Sequence, residues 1–302
     1  MKHTVFTGAA TALVTPLTEE GVDYGAFADL IEWQIAEGID ALVIAGTTGE
    51  GSTLSDEEHR QVLKFSAEQV RGRVPVIAGT GSNDTAYAID LTKYACEAGC
   101  DAMLLVTPYY NKATQRGLAA SFRAIADAST KPCILYNIPG RTGCNLLTPA
   151  LSELADHDRI VGVKEASGNI SQIAEEAAVC GDRLDIYSGN DDQIVPILSL
   201  GGAGVISVLS NLLPRETSRM CHMFMEGDVK GAREMQLKYL PLISALFSEV
   251  NPIPVKAAMA RMGFGKNYLR LPLTPMEEAH WRTLRACTAA QGLLPGGEGA
   301  AK

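Results

Sequence analysis

The chain has 302 residues, 46% of them hydrophobic, and carries a formal net charge of −9 at pH 7. That length buries a core with ease, and no apolar run reaches the roughly eighteen residues a membrane span needs. The acidic balance, without a basic stripe anywhere, disfavours nucleic acid and anionic membrane as partners.

The opening MKHTVFTGAATALVTP has the outline of a weak export signal. Thr and Gly interrupt its apolar part and a strand pattern runs through it, so it reads as structure. The first short β-branched run is ATALVTP, near residue 10. AFADLIEWQIAEG follows at helical period, with Phe27, Leu30, Ile31, Gln34 and Ile35 tracing a mainly apolar face. ALVIAGT near residue 41 is the second strand. In the helix after it, SDEEHRQVLKFSAEQV, Ser55 is placed as N-cap and Glu58 completes a capping box. PVIAGTG near 75 and AMLLVTP near 102 are strands, each followed by a helical stretch, DTAYAIDLTKYACEAG and TQRGLAASFRAIADA. PCILYN near 132, IVGVKEAS near 160, LDIYSGN near 184 and GAGVISV near 203 bring the strands to eight. After residue 214 the strands stop. RETSRMCHMFMEG, DVKGAREMQLKYLPLISALFSEV, IPVKAAMARMGF and TPMEEAHWRTLRACTAA read as helices, and the final LLPGGEGAAK as a frayed tail.

Strands at this spacing, separated by helices, are βα units of a parallel sheet. Eight in succession predict an α/β chain of the (β/α)8 TIM-barrel class, with the barrel over residues 1–225 and a C-terminal helical region over 226–302. A doubly wound open sheet is the alternative, but the G-x-G-x-x-G it usually carries after its first strand is missing.

A barrel places its active site at the carboxyl ends of its strands. After the second strand stands GTTGEGST, a loop whose N–H groups and hydroxyls, Thr47 and Thr48, suit an anion. It lacks the G-K-[ST] of a phosphate loop. After the fourth comes TPYYNK, whose two adjacent tyrosines, taken alone, read as a core plug or an interface anchor ahead of a functional role. Tyr136 closes the fifth strand, and Arg141 follows in YNIPGRTG. A guanidinium there fits a carboxylate through two parallel bonds, or simply a surface ion pair. The sixth strand ends on Lys164, in a position where an isolated lysine ordinarily snorkels to water. SGND follows the seventh, and its Asp191 and Asp192 read as helix N-caps in preference to metal ligands.

Together these residues put an amine, a phenol, two hydroxyls and a guanidinium on one rim. A lysine so placed has one chemistry that needs no cofactor, condensation with a ketone to a Schiff base. The iminium draws electrons from the neighbouring carbon, which loses a proton and becomes an enamine nucleophile. The amine must be neutral to attack, so the site must lower its pKa by burial or a nearby cation. The phenol moves protons. The residues alone therefore lead to a carbon–carbon lyase or condensing enzyme acting on a keto acid.

No metal is expected. Five scattered histidines (His3, His59, His157, His222, His280) supply no ligand pair. Seven cysteines, an odd number with no C-x-x-C, read as reduced thiols in a cytoplasmic protein.

With GTTGE, TPYYN, YNIPGRTG, GVKEASGN and NPIPVK in that order, the whole chain resembles the dihydrodipicolinate synthase family, a branch of the pyruvate-dependent lyases and aldolases. The resemblance implies that Lys164 forms the Schiff base with pyruvate and that Tyr136 is acid and base. Thr47 would link Tyr136 to a Tyr110 from the neighbouring subunit, in a homotetramer of two tight dimers. It further implies that Thr48 binds the pyruvate carboxylate, helped by main-chain groups of Gly189 and Ile206, and that Arg141 receives the carboxylate of L-aspartate-4-semialdehyde. The arginine separates this branch from the sialic acid lyases and 2-keto-3-deoxygluconate aldolases, the main alternative. A barrel that binds a keto acid without catalysis would be expected to lack the lysine or the tyrosine.

Two departures from the family pattern stand out. Ala113 replaces a proline after YYNK, which loosens the loop that carries Tyr110. Tyr87 and Gly51 stand where lysine-inhibited members have an acid and a serine, while Asn83, His59 and Tyr109 are kept. Without that acid the effector's amine has no charge partner, and inhibition by lysine is expected to be weak or absent.

Overall fold

All eight β-branched runs are strands in a computed structural model that describes residues 3–294. They are β1 (Gly8–Ala12), β2 (Ala41–Ile44), β3 (Val76–Gly79), β4 (Ala102–Val106), β5 (Cys133–Asn137), β6 (Ile160–Glu165), β7 (Asp185–Ser188) and β8 (Gly204–Ser207). Each pairs in parallel with its neighbours, and β1 pairs with both β8 and β2, which closes the barrel. Met1, Lys2 and the tail beyond residue 294 lie outside the described residues.

Eight helices alternate with the strands, the first seven returning the chain to the next strand and the eighth following β8: α1 (Tyr24–Ala36), α2 (Asp56–Val70), α3 (Thr85–Glu97), α4 (Gln115–Ala128), α5 (Thr148–Leu154), α6 (Ile170–Cys180), α7 (Ile194–Ser199) and α8 (Pro214–Met225). Side-chain caps set several of their starts. The capping box of α2 is complete, with the Glu58 N–H donating to Ser55 Oγ at 3.2 Å and the Ser55 N–H to Glu58 Oε2 at 2.8 Å. Asp23, Asp84, Thr114 and Asn169 cap α1, α3, α4 and α6. Gln34, the polar member of the α1 face, is buried, accepting from Thr11 at 2.6 Å and donating to the Ser210 carbonyl at 2.9 Å. Three more helices follow the barrel: α9 (Val229–Leu246), α10 (Ile253–Arg261) and α11 (Glu278–Ala290). α11 starts later than its sequence pattern suggests, because the Glu277 N–H is held by Glu249 Oε1 at 2.9 Å and Glu277 keeps an extended backbone.

Strand alternation divides the core in two. Ala10, Ala12, Val43, Ile77, Leu104, Ile134, Tyr136, Tyr187 and Ile206 fill the inside of the barrel. Leu42, Ile44, Leu105, Leu135, Val163 and Val205 face outward and pack with the helices. One irregularity decides which side chains face the barrel interior at this end. Between β5 and β6 the register shifts, so that Cys133 pairs with Ile160 but Ile134 pairs with Gly162. Beyond this bulge Tyr136 pairs with Lys164, and both face inward. Gly162 occupies the inward position below Lys164. A Cβ there would stand 2.8 Å from the Asp185 carbonyl oxygen and 3.2 Å from the Tyr187 ring.

Among the described residues no helix is long and apolar enough to cross a membrane, and no group of three or more His, Cys, Asp or Glu side chains is placed to hold a metal ion. All seven cysteines are free. Burial pushes the thiols of Cys100 and Cys133 up to about 12, which leaves them inert.

Candidate active site

Lys164 reaches the carboxyl end of the barrel but not the solvent: it is 6% exposed. Its Nζ lies 4.3 Å from the centre of the Tyr136 ring. Burial lowers its pKa from the ordinary 10.5 to about 7. The buried Asp191 works against that drop, and the positive Arg141 adds to it. Tyr136 is pushed the other way, to about 12, again by burial, with Arg141 and a hydrogen bond from Thr47 offsetting part of the rise. At neutral pH the site thus holds a half-neutral amine beside a protonated phenol, the pair that Schiff-base chemistry requires.

The loop after β2 delivers the threonines. Ala45 and Glu50 adopt left-handed backbone, with φ of 55° and 54°, and fold GTTGEG back over the barrel mouth. Glu50 is buried in an ion pair with Lys256 of α10, whose Nζ also donates to the Thr15 carbonyl at 3.1 Å. Thr47 and Thr48 line a narrow cavity together with Tyr136, Arg141, Lys164 and Gly189. A side chain at Gly189 would strike Ala166 and crowd the lysine stem: a Cβ would lie 2.6 Å from Ala166 Cβ and 3.2 Å from Lys164 Cε. Arg141 sits in a single-turn helix, Pro139–Thr142, opened by a proline and closed by Gly143 at φ 68°. The residue is exposed, and its guanidinium turns back to donate to the Asn251 carbonyl at 2.9 Å in a partly buried bond.

Seven of the eight residues singled out from sequence converge on this end of the barrel; Tyr110 does not. It is 88% exposed on a loop of left-handed backbone, with φ of 73° at Tyr110 and 51° at Lys112. The side chain of Ile206 belongs to the barrel interior and does not line the cavity. The N-cap reading of Asp191 and Asp192 is not what the structure contains. Asp191 opens a 3-10 turn without capping it, and its Oδ2 accepts the N–H groups of Val208 and Leu209 at 3.0 and 2.8 Å. It ties the end of β7 to the end of β8, a long-range bond that local spacing cannot reveal. Phe247 and Asn251 also line the cavity from the C-terminal region. NPIPVK begins at Asn251, so the signal was present but its chemistry was not.

A second cavity of about 360 Å³ adjoins the first and shares Thr47, Tyr136 and Arg141 with it. Gly51, His59, Tyr87 and Tyr109 line its far side, and no Asp or Glu side chain does. The Tyr87 hydroxyl is occupied with Asp56. His59 is buried and held neutral by desolvation, with Nε2 2.9 Å from the Gly79 carbonyl oxygen. A side chain at Gly51 would strike the Ala45 carbonyl, its Cβ 2.2 Å from that oxygen. A larger groove, about 670 Å³, opens at the amino ends of the strands beside Val5, Pro75 and Val161. That face of a barrel serves stability, and it holds nothing like the Lys164–Tyr136 pair.

Residues 5–291 match the Dihydrodipicolinate synthetase family. A 4-hydroxy-tetrahydrodipicolinate synthase of Clostridium perfringens is 54% identical over 290 residues, covering 96% of this chain and all of the relative. Among solved structures, a dihydrodipicolinate synthase of Acinetobacter baumannii complexed with pyruvate superposes with a TM-score of 0.94 at 42% identity, over 96% of this chain and all of that one. A dihydrodipicolinate synthase of Cyanidioschyzon merolae with lysine bound gives 0.93 at 42% identity, over 97% and 100%. By barrel, by site and by these relatives, the chain belongs to the dihydrodipicolinate synthetase family.

Proposed function

We propose that Lys164 is the amine through which this chain performs its family's reaction. That reaction condenses pyruvate with L-aspartate-4-semialdehyde to 4-hydroxy-tetrahydrodipicolinate, the first committed step toward diaminopimelate and lysine. The observation that carries the assignment is the buried amine facing the Tyr136 phenol, with its pKa brought to about 7. Neutral Lys164 attacks the pyruvate ketone, and loss of one water gives the iminium. Tyr136, left a phenolate once it has given its proton to that departing water, removes a methyl proton, and the enamine carbon attacks the aldehyde, whose oxygen takes this proton from the phenol. The amine of the second substrate then displaces Lys164 and closes the ring, so one water leaves overall and the lysine is regenerated.

In this reading Thr48 and the main chain at Gly189 and Ile206 hold the pyruvate carboxylate, and Arg141 holds that of the aldehyde. Thr47 passes protons between Tyr136 and a Tyr110 contributed by a second copy of the chain in a tetramer. Support for that sharing comes from the exposure of Tyr110 and its left-handed backbone, features that suit a side chain reaching away from its own barrel. Residues 1–225 form the catalytic barrel and 226–302 an appended region that contributes Phe247 and Asn251. No cofactor enters, and the setting is the cytoplasm. Lysine inhibition is weak or absent, because Arg141 is the charged residue that the second cavity offers, and it repels an ammonium.

Borohydride reduction in the presence of pyruvate, followed by peptide mass analysis, tests the core of this reading. A pyruvyl adduct on Lys164, with consumption of the aldehyde in turnover, is the expected result. An adduct elsewhere, or none, overturns it.

A further inference from the structure

Asn251 stands between the two side chains assigned to the substrates' carboxylates. It lies just before α10, far in sequence from both, yet it is only 5% exposed and lines the lysine cavity. Its Nδ2 donates to Thr48 Oγ1 at 3.0 Å. Its main-chain carbonyl accepts from Arg141 Nη2 at 2.9 Å. Its Oδ1 is buried and has no hydrogen-bond partner among the described residues. Leaving a buried acceptor unpaired is unfavourable, and a native site that retains one calls for a reason beyond stability.

The donor inventory supplies the reason. An amide nitrogen can only donate, so Thr48 Oγ1 must accept, and the hydroxyl's own proton is turned away from Asn251. We propose that Asn251 is a positioning residue for the keto-acid subsite, which fixes the Thr48 proton toward the pyruvate carboxylate through its side chain and tethers Arg141 through its main chain. The inference rests on the Schiff-base reading and adds a division of labour to it. Substituting the side chain disturbs the pyruvate subsite, while the carbonyl that holds Arg141 persists.

The test measures KM for each substrate, and the pyruvate dependence of borohydride trapping, at pH 8 in the wild-type protein, Asn251→Ala and Asn251→Asp. Removing one neutral hydrogen bond in Asn251→Ala raises the pyruvate KM about 3- to 10-fold. The KM for aspartate semialdehyde stays within about twofold, since its anchor is held by main chain. Asn251→Asp is worse, by about a further tenfold for pyruvate, because a carboxylate only accepts, takes up the Thr48 proton and faces the substrate's negative charge. A residue that merely packs gives the opposite order, since Asp keeps the shape of Asn and Ala does not, and it moves both KM values together. Either of those results, or a pyruvate KM unchanged in both variants, overturns the proposal. If only the near-isosteric Asp variant folds, its selective effect on pyruvate decides alone. In a Thr48→Val background Asn251→Ala should add less than about twofold, because the two side chains act as one unit; full additivity counts against the proposal. A wild-type protein that traps no pyruvate strikes the Schiff base itself, whereas normal trapping with unaltered KM values strikes only Asn251.

Discussion

Lys164→Met separates the energetic burden of the amine from its chemistry. A lysine brought from 10.5 to about 7 by burial holds its proton some three orders of magnitude less tightly in the native state than in the unfolded chain. At about 1.4 kcal/mol per tenfold, the buried amine destabilises the fold by an amount approaching 5 kcal/mol below pH 7. There both states are protonated and the penalty is full. Between pH 7 and 10.5 the unfolded chain binds the extra proton, so stability rises with pH and the penalty shrinks. It is about 3 kcal/mol at pH 8 and close to zero above pH 10.5. Methionine fills the same stem without a charge. The variant is therefore expected to lose all turnover, yet to be more stable than wild type at pH 6 by several kcal/mol, with the gap closing as pH rises. Urea denaturation of both proteins at equal concentration and at pH 6, 8 and 10 measures it. A gap that is constant across this range, or a variant less stable than wild type at pH 6, would show that the amine is not held in a dry site.

Tyr136→Phe keeps the ring over Lys164 but removes the proton relay, so kcat should fall about 10²- to 10⁴-fold with the fold intact by circular dichroism. Retention of more than a tenth of wild-type kcat would refute its role. Arg141→Gln should raise the KM for aspartate semialdehyde about 10- to 100-fold and leave pyruvate trapping in place. Because the Arg141 charge helps hold Lys164 low, the same variant should move the midpoint of the trapping rate to higher pH; an unmoved midpoint argues against that coupling. Lysine added to the wild-type assay should inhibit weakly, if at all, and half-maximal inhibition at sub-millimolar lysine would contradict the reading of the second cavity.

What the sequence disclosed follows from how local its signals are. The alternation of short β-branched runs with capped helical stretches is written residue by residue, and Ser55 and Glu58 form the predicted box. The rim residues were found because a barrel makes strand ends meaningful before any contact is known. What stayed hidden depends on distant partners. Asp191 bonds to the N–H groups of Val208 and Leu209, and Asn251 to Thr48, more than two hundred positions away. Nothing in IVGVKEASGN announces the bulge either, because Gly162 looks like any glycine until the Tyr187 ring is found against it.

That bulge separates the lysine from the glutamate next to it. With Lys164 turned inward, Glu165 faces outward, where Asn137 Nδ2 donates to both its oxygens at 3.3 and 3.0 Å and the Ser167 N–H donates at 2.7 Å. There it meets Glu176, whose carboxyl is pushed up to about 9 by burial and by the charge of Glu165. The acid pair thus keeps a proton of its own on the far side of the strand. The charges that act on Lys164 are those of Asp191 and Arg141. Had the pairing of Cys133 with Ile160 continued without a shift, Asn137 would oppose Lys164, and strand alternation would exchange the two neighbours. The amine would then enter the outer layer beside Glu176, held protonated in an ordinary buried ion pair, and the carboxylate of Glu165 would face the cavity. Composition, helix caps and rim loops would be unchanged. The same ten residues would make a salt bridge in one register and place a buried amine with a lowered pKa in the other, so the proposed role of Lys164 depends on a backbone irregularity as much as on the side chain it aims.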